Sequence, residues 1–207
     1  MCMNGVKIMA FSKGKRIEDE TSKRIIDLAV NIGCKEGPDA LTVTRICREL
    51  NCDRRVIYNR FRDIDEINLI VACRCNEELI NNANTAISDE ASYNDNFVSF
   101  IKAAFNYIYE KNSFFQYYTA LYKITEDGIS NNILQKLVEL IDSGKSAGDI
   151  SDETDSLEAA ENIWFLITGI SKMLASNMGY KYQDGLRTML YGVRAMLEYM
   201  KKTSVCK

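Results

Sequence analysis

The stretch Leu41–Phe61, LTVTRICRELNCDRRVIYNRF, constrains the chain most, because its spacing fits two short helices joined by a tight turn. Thr42 suits the N-cap of the first, and Ile46, Cys47 and Leu50 give that helix an apolar face. Asn51-Cys52 breaks the pattern, and Asn tolerates a left-handed turn conformation. Asp53 is expected to cap the second helix, whose inner face is Ile57 and Phe61. This is a helix-turn-helix, a unit whose second helix can lie in the major groove of DNA. Arg54, Arg55, Tyr58 and Asn59 share the outward face of that helix. Arg and Asn can read base edges in pairs of hydrogen bonds, and Tyr can donate to a phosphate. Arg60 and Arg62 flank them, and Thr42 and Thr44 complete the candidate DNA-binding set. A basic, solvated helix in an ordinary helical protein has the same spacing.

Over a longer span, about Arg24 to Leu69, the residues resemble the TetR-type (tetracycline-repressor-like) transcriptional regulators. The likeness starts with RIIDLAVNIGCKEGPDALTV and passes through RICRELNCDRRVIYNRF. In that second run the Ile-Tyr pair and the Phe three residues on are characteristic. It ends in RDIDEINLI, which would open a long helix. The chain also departs from the family pattern. Arg55-Val56 stands where a small residue and a Thr or Ser are usual, Asn51 where Gly is usual in the turn, and Ile64 where a Lys is common. Two phosphate contacts are thereby lost, which Arg54, Arg55, Arg60 and Arg62 could replace, so the operator is expected to be the chain's own.

Composition agrees with an all-helical chain. Hydrophobic residues make up 46% and charged residues 27%; there is one proline, Pro38, and no alternation of apolar and polar residues. Residues 1–62 carry 13 Lys+Arg against 8 Asp+Glu, a balance of +5, and the other 145 carry 13 against 21, a balance of −8. A basic head on an acidic body fits nucleic-acid binding, in which Lys and Arg neutralise phosphates. The expected domains are thus 1–62, arm plus helix-turn-helix, and 63–207, a ligand-binding and dimerisation body. The absence of histidine from the sequence argues against His-based catalysis or a transition-metal site, and no cofactor is implied. The seven cysteines, at 2, 34, 47, 52, 73, 75 and 206, show no CxxC spacing and read as reduced thiols used for packing in the cytoplasm. Met1–Ala10 is too short and too interrupted for a membrane span or a signal peptide.

In chain order, Lys13, Lys15 and Arg16 form a basic arm. Glu18, Asp19 and Glu20 suit a helix start. That helix buries Ile25, Ile26, Leu28, Ala29 and Ile32 and closes at Gly33 and Gly37-Pro38. Asp63 and Glu66 have the spacing of a capping box. The polar run Ser88–Asn96 is a turn, and helices are expected over about 95–110, from about 112, and over 129–141. Asp142–Asp155, rich in Ser, Gly and Asp, reads as a loop. Its Gly144-Lys145-Ser146 is no phosphate loop, since Glu139 stands where the first Gly is needed and no strand precedes it. Two last helices, about 156–176 and 183–201, bring the count to about nine.

By resemblance, those last two helices pair with their copies in a homodimer, and the expected interface is Ile163, Ile167, Ile170, Leu174, Met189, Val193, Met196 and Met200; the alternative is that both are internal core helices of a monomer. Gly169, Ala175 and Gly192 would permit close approach. An effector pocket would lie in the aromatic middle, with Tyr107, Phe114, Tyr118, Tyr122, Trp164 and Phe165 as its expected wall and an aromatic or hydrophobic small molecule as its ligand. Most such aromatics serve as core in any helical body. Glu110, Glu126 and Glu161 lie close by in sequence and could face a cation. The resemblance implies a cytoplasmic, ligand-responsive repressor that binds a palindromic double-stranded DNA operator as a dimer, with no enzyme activity and no membrane partner. Two other readings compete. One is a thiol-based redox sensor on the same fold, with Cys73 and Cys75 as the cysteines to test. The other is a helical partner-binding protein with no specific DNA target.

Overall fold

A computed structural model of the chain describes residues 17–111, 132–176 and 179–201. Among the described residues there are eight α-helices and one 3₁₀ turn, with no strand. The chain divides into two compact units, residues 1–71 and 72–207.

In the first unit, α1 (Glu20–Glu36) begins at Asp19, whose carboxylate accepts the Ser22 N–H at 2.8 Å. Its apolar residues recur at helical spacing, so Ile25, Ile26, Ala29 and Ile32 are buried together while Leu28 is only half-buried. It ends at Gly37, whose φ of 90° few other residues tolerate. A 3₁₀ turn, Pro38–Ala40, leads to α2 (Val43–Leu50), where the Thr42 side chain accepts the Arg45 N–H at 3.2 Å as the sequence suggests. Asn51 takes the left-handed conformation, φ 50° and ψ 53°, and α3 (Arg54–Tyr58) follows. Asp53 stands at the N-cap of α3 but its side chain makes no capping bond, contrary to expectation. Ile25, Ala29, Ile46, Ile57 and Ile67 are fully buried, and Leu41 and Phe61 nearly so. The two short helices are thus held by one shared core rather than by their own length, which is too small for stability in isolation. The helix α4 (Ile64–Asn84) starts with Asp63 accepting the Glu66 N–H at 2.9 Å. Glu66 reaches back to the Arg62 N–H, one residue earlier than a standard capping box would have it.

In the second unit, α5 (Tyr93–Glu110), α6 (Asn132–Ala147), α7 (Ser156–Ala175) and α8 (Tyr182–Met200) pack around one core with the end of α4. Ser92 caps α5 and Asp155 caps α7, each accepting backbone N–H groups of the first turn. Phe97, Phe100, Ile101 and Phe105 of α5 meet Leu137 and Ile141 of α6, Ile163 and Ile167 of α7, and Met189 and Val193 of α8.

The loop expected from Asp142 onward begins later, because α6 continues to Ala147. Ser143 and Ser146 do not break it; their hydroxyls donate to the carbonyls of Leu140 and Asp142 within the helix. The helix stops at Gly148, φ 83°, and the Asp149 and Ile150 N–H groups close back onto the Gly144 carbonyl. Gly144-Lys145-Ser146 therefore lies inside a helix, which rules out a phosphate-binding loop there. Gly144 is needed for contact: a Cβ on it would come within 2.4 Å of the Tyr93 ring and 2.7 Å of Ile150.

Of the eight residues expected to form a dimer interface, six are turned inward. Ile163, Ile167, Ile170, Met189, Val193 and Met200 are buried in this chain's own core, and Leu174 and Met196 are half-buried against it. Helix α7 is apolar on more than one face, and periodicity does not say which face turns inward. The outward apolar side chains are Leu157, Phe165 and Met173 on α7 and Tyr191 and Tyr199 on α8. Gly192 likewise serves packing within the chain, since a Cβ there would meet Leu166 at 2.6 Å, whereas Gly169 faces open space.

Candidate nucleic-acid interface

The site is built on α2, the turn and α3. Arg54, Arg55, Tyr58 and Asn59 are all exposed, and Tyr58 retains 52% of its surface. The buried Ile57 fixes α3 in rotation, so these four residues point away from the core. Thr42 and Thr44, at the start of α2, are exposed too. The Thr44 hydroxyl accepts from Arg54 Nη2 at 2.8 Å, which orients the guanidinium across the face where a groove would be read. Arg62 is exposed and bonds Asp63 Oδ2 through Nε at 2.6 Å.

Arg60 is placed differently from the expectation. Its Nε donates to Asp19 Oδ1 at 2.9 Å, its Nη2 to Asp19 Oδ2, and its Nη1 to the Val56 carbonyl at 3.0 Å. Only 14% of its side chain remains exposed. The guanidinium holds the Asp19 carboxyl well below the usual carboxylate range, helped by the Ser22 N–H. Arg60 thus ties the end of α3 to the N-cap of α1, a positioning role. Arg45 plays a similar part. It bonds Glu36 through Nη1 and Nη2, at 2.7 and 2.6 Å, and Glu49 through Nε at 3.0 Å. These contacts raise the Arg45 pKa and lower that of Glu36. Sequence reasoning missed both ties, because the Arg60 partner lies 41 residues away and that of Arg45 nine. Arg48, 75% exposed on α2, adds a cation that the pattern did not single out.

In the body, three residues of the expected ligand wall, Tyr107, Trp164 and Phe165, fall among the described residues. Trp164 is buried in the core, Phe165 is 62% exposed, and the Tyr107 hydroxyl donates to Glu78 Oε2 at 3.1 Å. Phe114, Tyr118, Tyr122 and Glu126 lie outside the described residues, as do the basic arm at 13–16 and the helix expected from about 112. Glu110 is exposed and Glu161 half-buried. An aromatic group the sequence did not group is Tyr182 with Phe105 and Tyr109, at ring distances of 6.2 and 4.5 Å. The Tyr182 hydroxyl donates to Asn106 Oδ1 at 2.6 Å.

Two buried polar side chains of the body lack partners. Asn76 on α4 is 1% exposed and neither its amide nitrogen nor its oxygen is hydrogen-bonded; Ser171 on α7, 5% exposed, has an unbonded hydroxyl. Such groups are unusual inside a folded protein and cost free energy unless something completes their bonding. No sequence signal marks them, since Asn and Ser are common on solvated helix faces. Among the described residues no cluster of three or more potential ligands could hold a metal, and no helix is long and apolar enough to cross a membrane.

No family model and no curated protein matches this chain by sequence. Solved structures do. A protein of unknown function from Rhodococcus sp. RHA1 is similar with a TM-score of 0.71 at 15% identity, over 89% of this chain and 97% of that one. The fatty acid degradation regulator FadR from Bacillus halodurans is similar with a TM-score of 0.65 at 16% identity, over 88% and 96%. A bacterial regulatory protein in the TetR family from Rhodococcus RHA1 gives 0.59 at 15%, over 89% and 98%. At such identities likeness speaks for architecture, and function has to be argued from the site. The architecture is that of the TetR-type regulators: an all-helical chain with a helix-turn-helix near its N-terminus.

Proposed function

We propose that the protein is a ligand-responsive transcriptional regulator, acting in the cytoplasm as a repressor rather than as an enzyme. A homodimer would present two α3 helices to successive major grooves of a palindromic operator. The observation that carries this reading is the exposed face of Arg54, Arg55, Tyr58 and Asn59, with Arg54 oriented by Thr44. A helix that served only to fill the head would not need its cations arranged on one side. The basic balance of residues 1–62 supports the same reading. Thr42, Thr44, Arg48 and Arg62 are assigned to the phosphate backbone and Arg54, Arg55 and Asn59 to base edges.

The second copy would cover the outward apolar side chains Phe165, Met173, Tyr191 and Tyr199, which large monomeric surfaces seldom expose together. The effector would bind within the body, where Asn76 and Ser171 supply hydrogen-bonding groups now without partners. Its binding would favour one separation of the two heads over another and lower operator affinity by its differential affinity for the two states.

The test is selection of bound duplexes from a random pool at two salt concentrations. Enrichment of a palindrome with half-sites about one helical turn apart is expected. Binding that depends on salt but not on sequence would remove the base-reading assignment and leave a non-specific DNA-binding protein.

A further inference from the structure

Cys47 and Cys52 are five positions apart, and no familiar spacing motif joins them. The turn brings them together. With Asn51 at φ 50°, the Cys52 N–H donates to the Cys47 carbonyl at 3.0 Å and the Asn51 N–H to the Arg48 carbonyl at 3.4 Å. This pair of bonds is the Schellman close of a helix, in which the side chains at the two ends of the longer bond commonly make an apolar contact. Here both of those positions are cysteines, Cys47 and Cys52. Both cysteines are partly exposed and free. Arg54 lies close enough to Cys47, and Arg60 close enough to Cys52, to act on them electrostatically. Cys73 and Cys75, the pair that sequence alone would test first, are separated on α4: Cys75 is buried, and Cys73 is only half-buried.

We propose that Cys47 and Cys52 are a dithiol modification site within the helix-turn-helix, oxidised by hydroperoxides to an intramolecular disulfide that weakens DNA binding. The chemistry is independent of the function proposed above, and the effect on DNA rests on it. Burial, and then the neighbouring Cys52, push the Cys47 thiol up, and in the proposed sequence Cys47 resolves after attack by Cys52. The Cys52 thiolate attacks a peroxide oxygen, the O–O bond breaks, and the alcohol or water leaves with the other oxygen. The resulting sulfenic acid is attacked by the Cys47 sulfur. The S–O bond breaks, hydroxide leaves and takes up the Cys47 proton as water, and the S–S bond forms. The two sulfurs together give up two electrons, and the peroxide accepts them.

A covalent bond draws the sulfurs closer than a thiol contact does. Cys52 is two residues before Arg54, and α3 is only five residues long. The pull therefore reaches the first turn of α3, where Arg54 is set against Thr44.

The experiment uses the full chain, treated with stoichiometric hydrogen peroxide, alkylated and peptide-mapped. The same samples are titrated with duplexes enriched under reducing conditions. A Cys47–Cys52 disulfide is expected, with affinity falling on the order of tenfold and recovering with dithiothreitol. Cys47→Ser and Cys52→Ser variants should keep their reduced-state binding under peroxide. If the reduced protein binds duplexes but both thiols still alkylate after peroxide, or either one pairs with a third cysteine, the proposal is overturned. A mapped Cys47–Cys52 disulfide that leaves affinity unchanged overturns the switch. Reduced protein that binds no duplex at all counts against the regulator reading instead, and the mapped disulfide then decides the modification site by itself.

Discussion

Arg54 and Arg60 are both arginines of one short segment, yet they have different work. Arg54 is exposed and steered by a threonine hydroxyl, whereas Arg60 is folded back on Asp19. Replacing Arg54 with Ala should cost on the order of 1–3 kcal/mol in operator binding and shift base preference at one position of each half-site. An equal loss on every duplex would make it a phosphate contact. Arg60 should affect the fold of the head before it affects DNA. The Asp19 carboxyl is depressed from its ordinary 3.8, so its stabilising contribution is complete above about pH 4 and disappears as pH falls through the depressed value. The difference in melting temperature between wild type and Asp19→Asn should therefore narrow on going from about pH 7 to about pH 2. A constant difference would show that the ion pair adds nothing. Asn76 is a third case. An unpaired buried amide costs roughly 1–3 kcal/mol, so Asn76→Leu should stabilise the ligand-free body by about that much in denaturant unfolding. A loss of stability would mean that the amide is satisfied in solution.

Among the elements, α6 shows how a helix can run through residues that usually end one. Ser143, Gly144 and Ser146 read as loop formers, and their local preferences do point that way. What holds the helix is Gly144 lying under Tyr93, whose hydroxyl donates to the Leu140 carbonyl at 3.0 Å. Burial pushes the Tyr93 hydroxyl well above its ordinary range, in keeping with a phenol that stays protonated to make this bond. Gly144→Ala improves helix propensity and should still destabilise the body by about 1–3 kcal/mol, because the added methyl meets an aromatic ring rather than a flexible chain end. Stabilisation in a thermal melt would mean that Tyr93 can move aside without loss. The helix-turn-helix is the opposite case: its Thr42 cap, its left-handed Asn51 and its buried Ile46, Ile57 and Phe61 are all local, and the structure keeps them, although Asp53 makes no capping bond.

For the whole molecule, the inward face of α7 and α8 carries Ile163, Ile167, Met189 and Val193, and the outward face carries Phe165, Met173, Tyr191 and Tyr199. The two sets predict different failures. Phe165→Asp combined with Tyr191→Asp should leave helicity unchanged and give a monomer in sedimentation. Ile167→Asp should unfold the body, since a charge would enter a site that is 1% exposed. If the outward pair leaves the assembly state unaltered, the homodimer does not use this face.

The sequence by itself determined what depends on neighbours a few residues apart: helical class from the three-to-four spacing, the helix-turn-helix from Thr42, Asn51 and the Ile57–Phe61 face, and the cationic side of α3. Tertiary structure decided what depends on residues far apart in the chain. It withdrew Arg60 from the candidate DNA face, carried α6 past Asp142, and sent the expected dimer residues into the core. Cys47 and Cys52 fall between the two, for their spacing becomes a contact only once Asn51 turns left-handed. The physical reason is common to all: hydrogen bonds along a helix act over four residues, whereas burial is settled by whichever face finds the larger apolar surface to cover it.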